Sequence, residues 1–496
     1  MALLIKSVHI LGSNRPEEER VDVFVQGDKI SAIGNFPNKK AEEVIEGQGA
    51  YISPGFIDID TTSDHYLTIF SDPEQGDFLR QGATTIIGGQ CGASLAPIFS
   101  GSLDAIRGWA DTGAVNVGWH SLAELFGLLG KQKLGVNFGT LVGHSTIKSG
   151  LASGKTHDLT LDEIIIFGRI LQKNMEEGAF GLSSGLGSHR KGAPYKELKA
   201  LAELTKKLSG IYSSHLRRGE ELLSVKETKK IWEETGVSTL ITHFTPVKGN
   251  EEAYGAALAE INGIPADADF NFAIPPFAVS TLPLVSFLPG WAQAGGMDSA
   301  AKIVLDPHQS EKLLVELPLI SGKDFTVAQT PGNNIFVGKT LQDIMKIFSV
   351  SNTKKALLRL MATTRLKCVV HYKNLNIALV KEALKSPHAL IASHAPSFGE
   401  KKSFLKSDRS TSTFPQFLRL AEKEKLLSME DAVKRITAIP AKKLGLKGRG
   451  EVREGNFADL TVFKNGEIKC VVVGGVVAVS NGELRGTRNG RILRHV

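Results

Sequence analysis

Three residues far apart in the chain could share one chemistry: Cys91, His215 and His243. The two histidines stand 28 residues apart, each closing a short apolar stretch (211–213 and 238–241) with a helical stretch, 226–235, between them. That spacing places them on neighbouring strands, directed into one pocket. A thiolate and two imidazoles make three of the ligands a four-coordinate zinc takes, leaving one position for water. The alternative reading makes Cys91 a small buried apolar residue and the histidines satisfied core or loop groups. Other apolar stretches end in the same way, on Asp60, His144, Ser183, His371 and His394. A series of polar, metal-capable residues behind apolar strands has no folding rationale of its own. In parallel barrels, however, the active site is built at those strand ends.

The elements that must position these residues follow a βαβα rhythm, the mark of a parallel sheet or barrel and hence of an α/β fold. Candidate strands fall at 84–88, 138–142, 179–182, 211–213, 238–241, 368–370 and 389–392, and helices at 161–177, 195–208, 226–235 and 377–385. Both ends of the chain read instead as short strands separated by turns: 7–11, 21–25 and 29–33, then 458–463, 468–473 and 476–479. They suggest one small sheet domain built from both termini. Between residues 284 and 348 the rhythm breaks, with Pro289-Gly290, Gly295-Gly296 and Pro331-Gly332 punctuating an insertion.

Composition narrows the function classes. The 496 residues are 42% hydrophobic and 22% charged, ordinary for a globular protein. The net charge of +7 is spread over Lys-rich helices such as those carrying Lys206-Lys207 and Lys229-Lys230, without interleaved aromatics, so no nucleic-acid partner is expected. Three cysteines argue against a disulfide scaffold. No secretory signal is recognisable in the first residues, and no apolar run approaches the roughly 20 residues of a membrane span. The expected compartment is reducing and cytoplasmic, with no membrane partner. A homo-oligomer is compatible with the sequence, which does not fix the assembly state.

Several segments resemble one family. Ser53-Pro54-Gly55-Phe56-Ile57-Asp58 looks like the entry to the first barrel strand of amidohydrolases. Gln81-Gly82-Ala83-Thr84-Thr85 and Gly89-Gln90-Cys91-Gly92-Ala93-Ser94-Leu95-Ala96-Pro97 resemble the signature of N-acyl-D-amino-acid deacylases (D-aminoacylases), with Gln90 where the family has Asn. Leu141-Val142-Gly143-His144, Gly181-Leu182-Ser183-Ser184-Gly185-Leu186, Ser214-His215-Leu216-Arg217, Thr242-His243 and residues 288–293 and 450–460 match further family segments. The resemblance implies a (β/α)8 TIM-like barrel over 58–435. It adds a small β-sandwich domain from 1–57 with 436–496, and an inserted subdomain at 284–348. It implies one zinc per chain on Cys91, His215 and His243. It also places Arg409 where the family has an arginine that binds the substrate carboxylate, a task suited to a guanidinium fork.

The chain departs from the family at four places. The usual His-x-His after the first strand reads Asp60-Thr61-Thr62; the aspartate after the last strand aligns with His394; Phe244-Thr245 follows His243 where a lysine is usual; and Gly187-Ser188-His189 stands at the place of a family tyrosine. His394 is then a replacement general base, a second metal ligand together with Asp60, or a non-catalytic substitution; Asp60 is a second candidate for proton transfer. The expected function is zinc-dependent hydrolysis of a linear amide, an N-acyl-D-amino acid by resemblance. Arg409, with Ser183 or Arg217, would hold a small-molecule carboxylate-bearing substrate. The rivals are a cyclic-amide hydrolase and a non-catalytic barrel that binds ligand or zinc or acts as a scaffold.

Overall fold

The computed structural model describes residues 2–11, 19–99, 103, 106–110, 112–151, 157–186, 193–217, 219–330, 334–400 and 404–496. Eight short parallel strands form its centre: β1 (Phe56–Asp58), β2 (Ala83–Gly88), β3 (Asn137–Thr140, running on into Val142–Gly143), β4 (Gly181–Gly185), β5 (Ile211–His215), β6 (Ser238–Thr242), β7 (Phe270–Ile274) and β8 (Ala389–Ile391). They pair in chain order, β1 to β3 in one sheet and the end of β3 through β8 in another. At the seam between β8 and β1 the backbone N–H of His394 donates to the carbonyl of Asp60 (3.0 Å), so the two strand ends meet there. The result is the (β/α)-barrel arrangement.

Side-chain alternation explains why these strands form a ring. Ile57, Ile87, Ile211, Leu240, Ala273 and Leu390 fill the interior, while Phe56, Ile86, Tyr212, Ile241, Phe272 and Ile391, one position away, pack outward. Strands buried on both faces need apolar residues at both alternating positions. The outer helices start where capping chemistry lets them. Ser121 and Thr160 accept from the N–H three residues on, and Glu124 and Glu163 reciprocate, opening helices Leu122–Gln132 and Leu161–Glu176.

Strands from the two chain ends share one nine-stranded sheet, joined where Leu460–Lys464 pairs antiparallel with Tyr51–Pro54. The helix Ala438–Lys443 lies within the stretch expected to join that sheet, yet its Ala441, with Leu444, packs into the barrel interior. The inserted unit has an apolar core of its own, running from Leu284 to Val370 and so past the 348 expected for it. It also holds a three-stranded antiparallel sheet of Ser280–Pro283, Phe325–Gln329 and Val369–Tyr372. The stretch expected at 368–370 as a barrel strand belongs to this sheet. β7, with no polar residue closing it, went unrecognised in the sequence. Gly187-Ser188-His189 and Pro331-Gly332 lie outside the described residues.

Candidate metal centre

Cys91 lies three residues beyond β2, in a loop that the chain can form only with glycines beside it. Cys91 itself has φ 54° and Gly92 φ 75°; a Cβ on Gly92 would come within 2.5 Å of the backbone nitrogen of Gly185 in β4. Ser183, in β4, fastens this loop on both sides: its hydroxyl donates to the carbonyl of Gly89 (2.5 Å) and accepts from the N–H of Gly92 (3.0 Å). Gln90 spans the barrel, its amide donating to the carbonyl of Ile59 (2.8 Å) and accepting from the hydroxyl of Ser213 in β5 (2.7 Å). Ser183 and Gln90 thus hold the cysteine in place.

His215 is the last residue of β5 and His243 follows β6; their rings stack with centroids 4.6 Å apart. The donor atoms of Cys91, His215 and His243 all lie within 4.8 Å of one another. His243 also has a positive φ, 55°, and its ring stacks on that of His394, 4.1 Å away. A second set, Asp60, His243 and His394, meets the same 4.8 Å limit, so His243 is common to both. Backbone held in a sparsely populated region at Cys91, His243 and His394 (φ 47°) is strain of the kind found at functional sites.

His394 is set by a grip on the residue before it. The N–H of Ser393 donates to both oxygens of Asp58 (3.2 Å each), and the carbonyl of Ser393 accepts from Nε of Arg409 (2.8 Å). Burial raises the Asp58 carboxyl from 3.8 to about 7, against the pull of the Ser393 hydrogen bonds. Nδ1 of His394 is 2.6 Å from Oδ2 of Asp60, and both side chains are fully shielded from solvent.

Unpartnered polar groups concentrate around this pocket. Among the described residues, seventeen buried side-chain nitrogen and oxygen atoms have no hydrogen-bond partner, and eight of them belong to Asp60, Thr62, Asp64, Tyr66, His394 and Arg409. Buried polar groups are otherwise almost always paired, because leaving one unpaired costs about 1–3 kcal/mol. Both oxygens of Asp60, both ring nitrogens of His394 and one oxygen of Asp64 call for a cation or protons; Nη2 of Arg409 and the Tyr66 hydroxyl can donate to an acceptor. The Cys91 thiol is pushed well above its ordinary range by desolvation and by the charges of Asp60 and Asp64, with a Thr242 hydrogen bond opposing. A nearby divalent cation reverses that balance and makes the thiolate the favoured form. The donor set fits a zinc ion.

The remaining candidates lie elsewhere or act otherwise. Arg217 forms a two-pronged ion pair with Glu227 (2.9 and 3.1 Å) and donates to the carbonyl of Ala193, so its guanidinium is committed away from the centre. His144 closes β3 but is hydrogen-bonded to buried Glu197 (2.7 Å), which Lys148 also contacts. His371 does not end a barrel strand: it sits in the insertion's sheet, its ring bonded to the carbonyl of Leu405 and to Thr281. Arg409, 4% exposed, is in the pocket; burial pulls its guanidinium down to about 10, against the charges of Asp60, Tyr66 and Asp58. Sequence reasoning missed Tyr66 and Asp58. Their only signal was a stretch, 58 to 66, polar except for Ile59, too long for a turn and too close behind a buried strand to be surface.

Comparison with known proteins now bears on this arrangement. The chain is 27% identical to D-aminoacylase of Alcaligenes xylosoxydans xylosoxydans over 470 residues, covering 93% of this chain and 87% of the relative. The two chains are thus alike along nearly their whole length. No family model matches it. Among solved structures, an N-acyl-D-glutamate deacylase from Bordetella bronchiseptica, complexed with zinc and a phosphonate inhibitor, superposes with a TM-score of 0.79 over 99% of both chains at 23% identity. A D-aminoacylase with a binuclear metal centre, described as activated by one metal and attenuated by the second, gives a TM-score of 0.79 at 22% identity over 99% of both chains. The chain therefore shares the fold of these two structures, a TIM barrel with a β-sandwich.

Proposed function

We propose that the protein is a zinc-dependent hydrolase of linear amides acting on N-acyl-D-amino acids. The observation that carries the reading is the convergence of the Cys91, His215 and His243 donor atoms within 4.8 Å at the C-terminal mouth of the barrel. The full-length likeness to D-aminoacylase supports the substrate class. One zinc held by these three residues would polarise an acyl carbonyl and activate water. His394 accepts the proton lost by the attacking water at its unpartnered Nε2 and returns it to the leaving nitrogen, while Asp60 lies placed to neutralise the charge the ring takes on. Arg409 offers Nη2 to the substrate carboxylate. Ser183 and Asp58 act on geometry, the first through the Cys91 loop and the second through Ser393.

In this reading the Asp60 and His394 pair works as a proton-handling unit, and the resident metal count is one. The three cysteines are free, in keeping with a reducing, cytoplasmic setting, and no helix among the described residues is long and apolar enough to cross a membrane. The test is a panel of N-acyl-D- and N-acyl-L-amino acids given to zinc-loaded protein, with metal analysis alongside. Turnover confined to D-substrates at one zinc per chain is the expected result. A fully loaded protein inert towards the whole panel would instead support the non-catalytic barrel.

A further inference from the structure

β2 reaches Cys91 through two consecutive glycines, Gly88 and Gly89, which have the most backbone freedom to lose and no side chains to anchor them. Their order comes from outside. Asp64, in the loop behind β1, accepts the backbone N–H of Gly89 at Oδ2 (2.6 Å), while the carbonyl of the same glycine accepts from the Ser183 hydroxyl (2.5 Å). The fit is close: a Cβ on Gly88 would lie 2.7 Å from Oδ2 of Asp64, and one on Gly89, whose φ is 73°, would meet the carbonyl oxygen of Leu141 at 2.1 Å. Two residues beyond Cys91, the carbonyl of Ala93 is bonded to the ring of His65 (3.1 Å), the neighbour of Asp64. Asp64 and His65 thus hold the cysteine's loop at both ends. Their own loop is fixed in turn, the N–H of Thr61 donating to the carbonyl of Ile87 (3.0 Å) and that of Thr62 to the carbonyl of Ala395 (3.2 Å). Asp64 is costly where it stands. Its side chain is 1% exposed, among the described residues Oδ1 has no hydrogen-bond partner, and Nε2 of His65, 3.9 Å from Oδ2, is bonded to Ala93 instead. A buried carboxylate with a single N–H for company is accounted for by what it holds: a short, charge-assisted bond to an otherwise free glycine.

We infer that Asp64 is a positioning residue of the metal centre: through the N–H of Gly89 it fixes the glycine pair so that the sulfur of Cys91 meets the rings of His215 and His243. The inference rests on the metal centre of the proposed function and adds to it a residue outside the three-ligand set. Cys91 sits at φ 54°, a sparsely populated conformation that persists only where the surroundings over-determine it. Without the Asp64 acceptor the two glycines relax, Cys91 is free to leave that conformation, and the sulfur no longer has a fixed place beside the two imidazoles.

The experiment compares full-length wild type, Asp64→Ala, Asp64→Leu and Asp64→Asn, each stripped of metal and reloaded with zinc or with cobalt(II). A cysteine thiolate bound to cobalt gives a near-ultraviolet charge-transfer band, so absorbance per bound cobalt reports whether Cys91 is a ligand; competition with a chelator gives the zinc affinity. Expected for Asp64→Ala is zinc binding weaker by about 10- to 100-fold, the usual cost of losing a group that orients a ligand, with the thiolate band lost or displaced. Asp64→Leu, which fills the space but accepts nothing, behaves alike and covers the case in which Asp64→Ala does not fold. The amide oxygen of Asp64→Asn still accepts from Gly89 and restores the band. A loss of stability alone would leave the band per bound cobalt as in wild type. An unchanged band in Asp64→Ala or Asp64→Leu would overturn the positioning role, as would an Asp64→Asn protein no better than either. Wild type that binds cobalt without any thiolate band removes the metal centre and this inference with it, whereas a wild-type band insensitive to Asp64 removes the inference alone.

Discussion

Nδ1 of His394 stands 2.6 Å from Oδ2 of Asp60, with both side chains sealed from solvent, yet the pair lies off the line a hydrogen bond requires. On the proposed function, this histidine, stacked on His243 and held through its neighbour Ser393, carries the proton. His394→Ala should lower kcat by about 100-fold or more, within the range general acid–base catalysis contributes. Zinc content at Cys91, His215 and His243 should be unchanged. Asp60→Asn should cost nearly as much, and the double variant little more than either alone. Steady-state kinetics with metal analysis decide it, and a His394→Ala enzyme with wild-type kcat would remove this residue from the mechanism.

The metal site itself is testable by subtraction. Cys91→Ala and His215→Ala should each release zinc on dialysis and abolish turnover, since a three-ligand site has none to spare. Atomic absorption after dialysis is the measurement. Retention of both metal and activity in Cys91→Ala would show that the ion sits elsewhere.

Gly92→Ala probes the loop rather than a ligand. The residue has φ 75°, and the added methyl would meet the nitrogen of Gly185 at 2.5 Å, backbone that cannot move aside cheaply. The expected cost is about 2–4 kcal/mol in chemical denaturation, together with weakened zinc binding, because Cys91 shares the strained segment. A variant as stable as wild type, with its zinc intact, would show that the loop relaxes freely.

Glu197 links the end of β3 to helix Tyr195–Lys207 and gives a pH signature away from the metal. Burial alone would raise its carboxyl, but the His144 hydrogen bond and charge, the Leu159 N–H and Lys148 outweigh it and hold the group near 2 instead of 4.5. A depressed carboxyl stabilises the fold above its unfolded value, and that contribution is lost as pH falls from about 4.5 towards 2. Glu197→Gln should therefore cost up to about 3 kcal/mol at pH 7 and progressively less below pH 4.5. Urea titrations of both proteins from pH 7 to pH 3 would expose a pH-independent difference, the outcome incompatible with this origin.

Much of the architecture was legible in the chain because it rests on local periodicity. Apolar runs such as 84–88 and 238–241 became strands of the barrel with only their ends adjusted. Helix 226–235 began five residues earlier than expected, at Glu221, since no capping side chain marks the start of Glu221–Thr235: its N-cap, Glu220, makes no side-chain cap hydrogen bond. Residues 368–370 misled for the opposite reason: a buried strand looks alike in a barrel and in an antiparallel insertion, and only its partners, Ser280–Pro283 and Phe325–Gln329, tell them apart.

For the site, residue type and position behind a strand were enough to single out Cys91, His215 and His243, because metal chemistry restricts which side chains can serve. The same information could not separate Arg217 from Arg409, nor say what Ser183 does. An arginine takes whichever carboxylate the fold brings near, and folding gave Arg217 the side chain of Glu227 while leaving Nη2 of Arg409 buried and unmet. Ser183 faces a backbone loop 91 to 94 residues away in the chain, and Arg409 reaches Ser393 and Val279 rather than any residue near it in sequence that the motif would suggest. Pairing between such distant groups depends on which strands the fold sets side by side, and that was decided by tertiary structure alone.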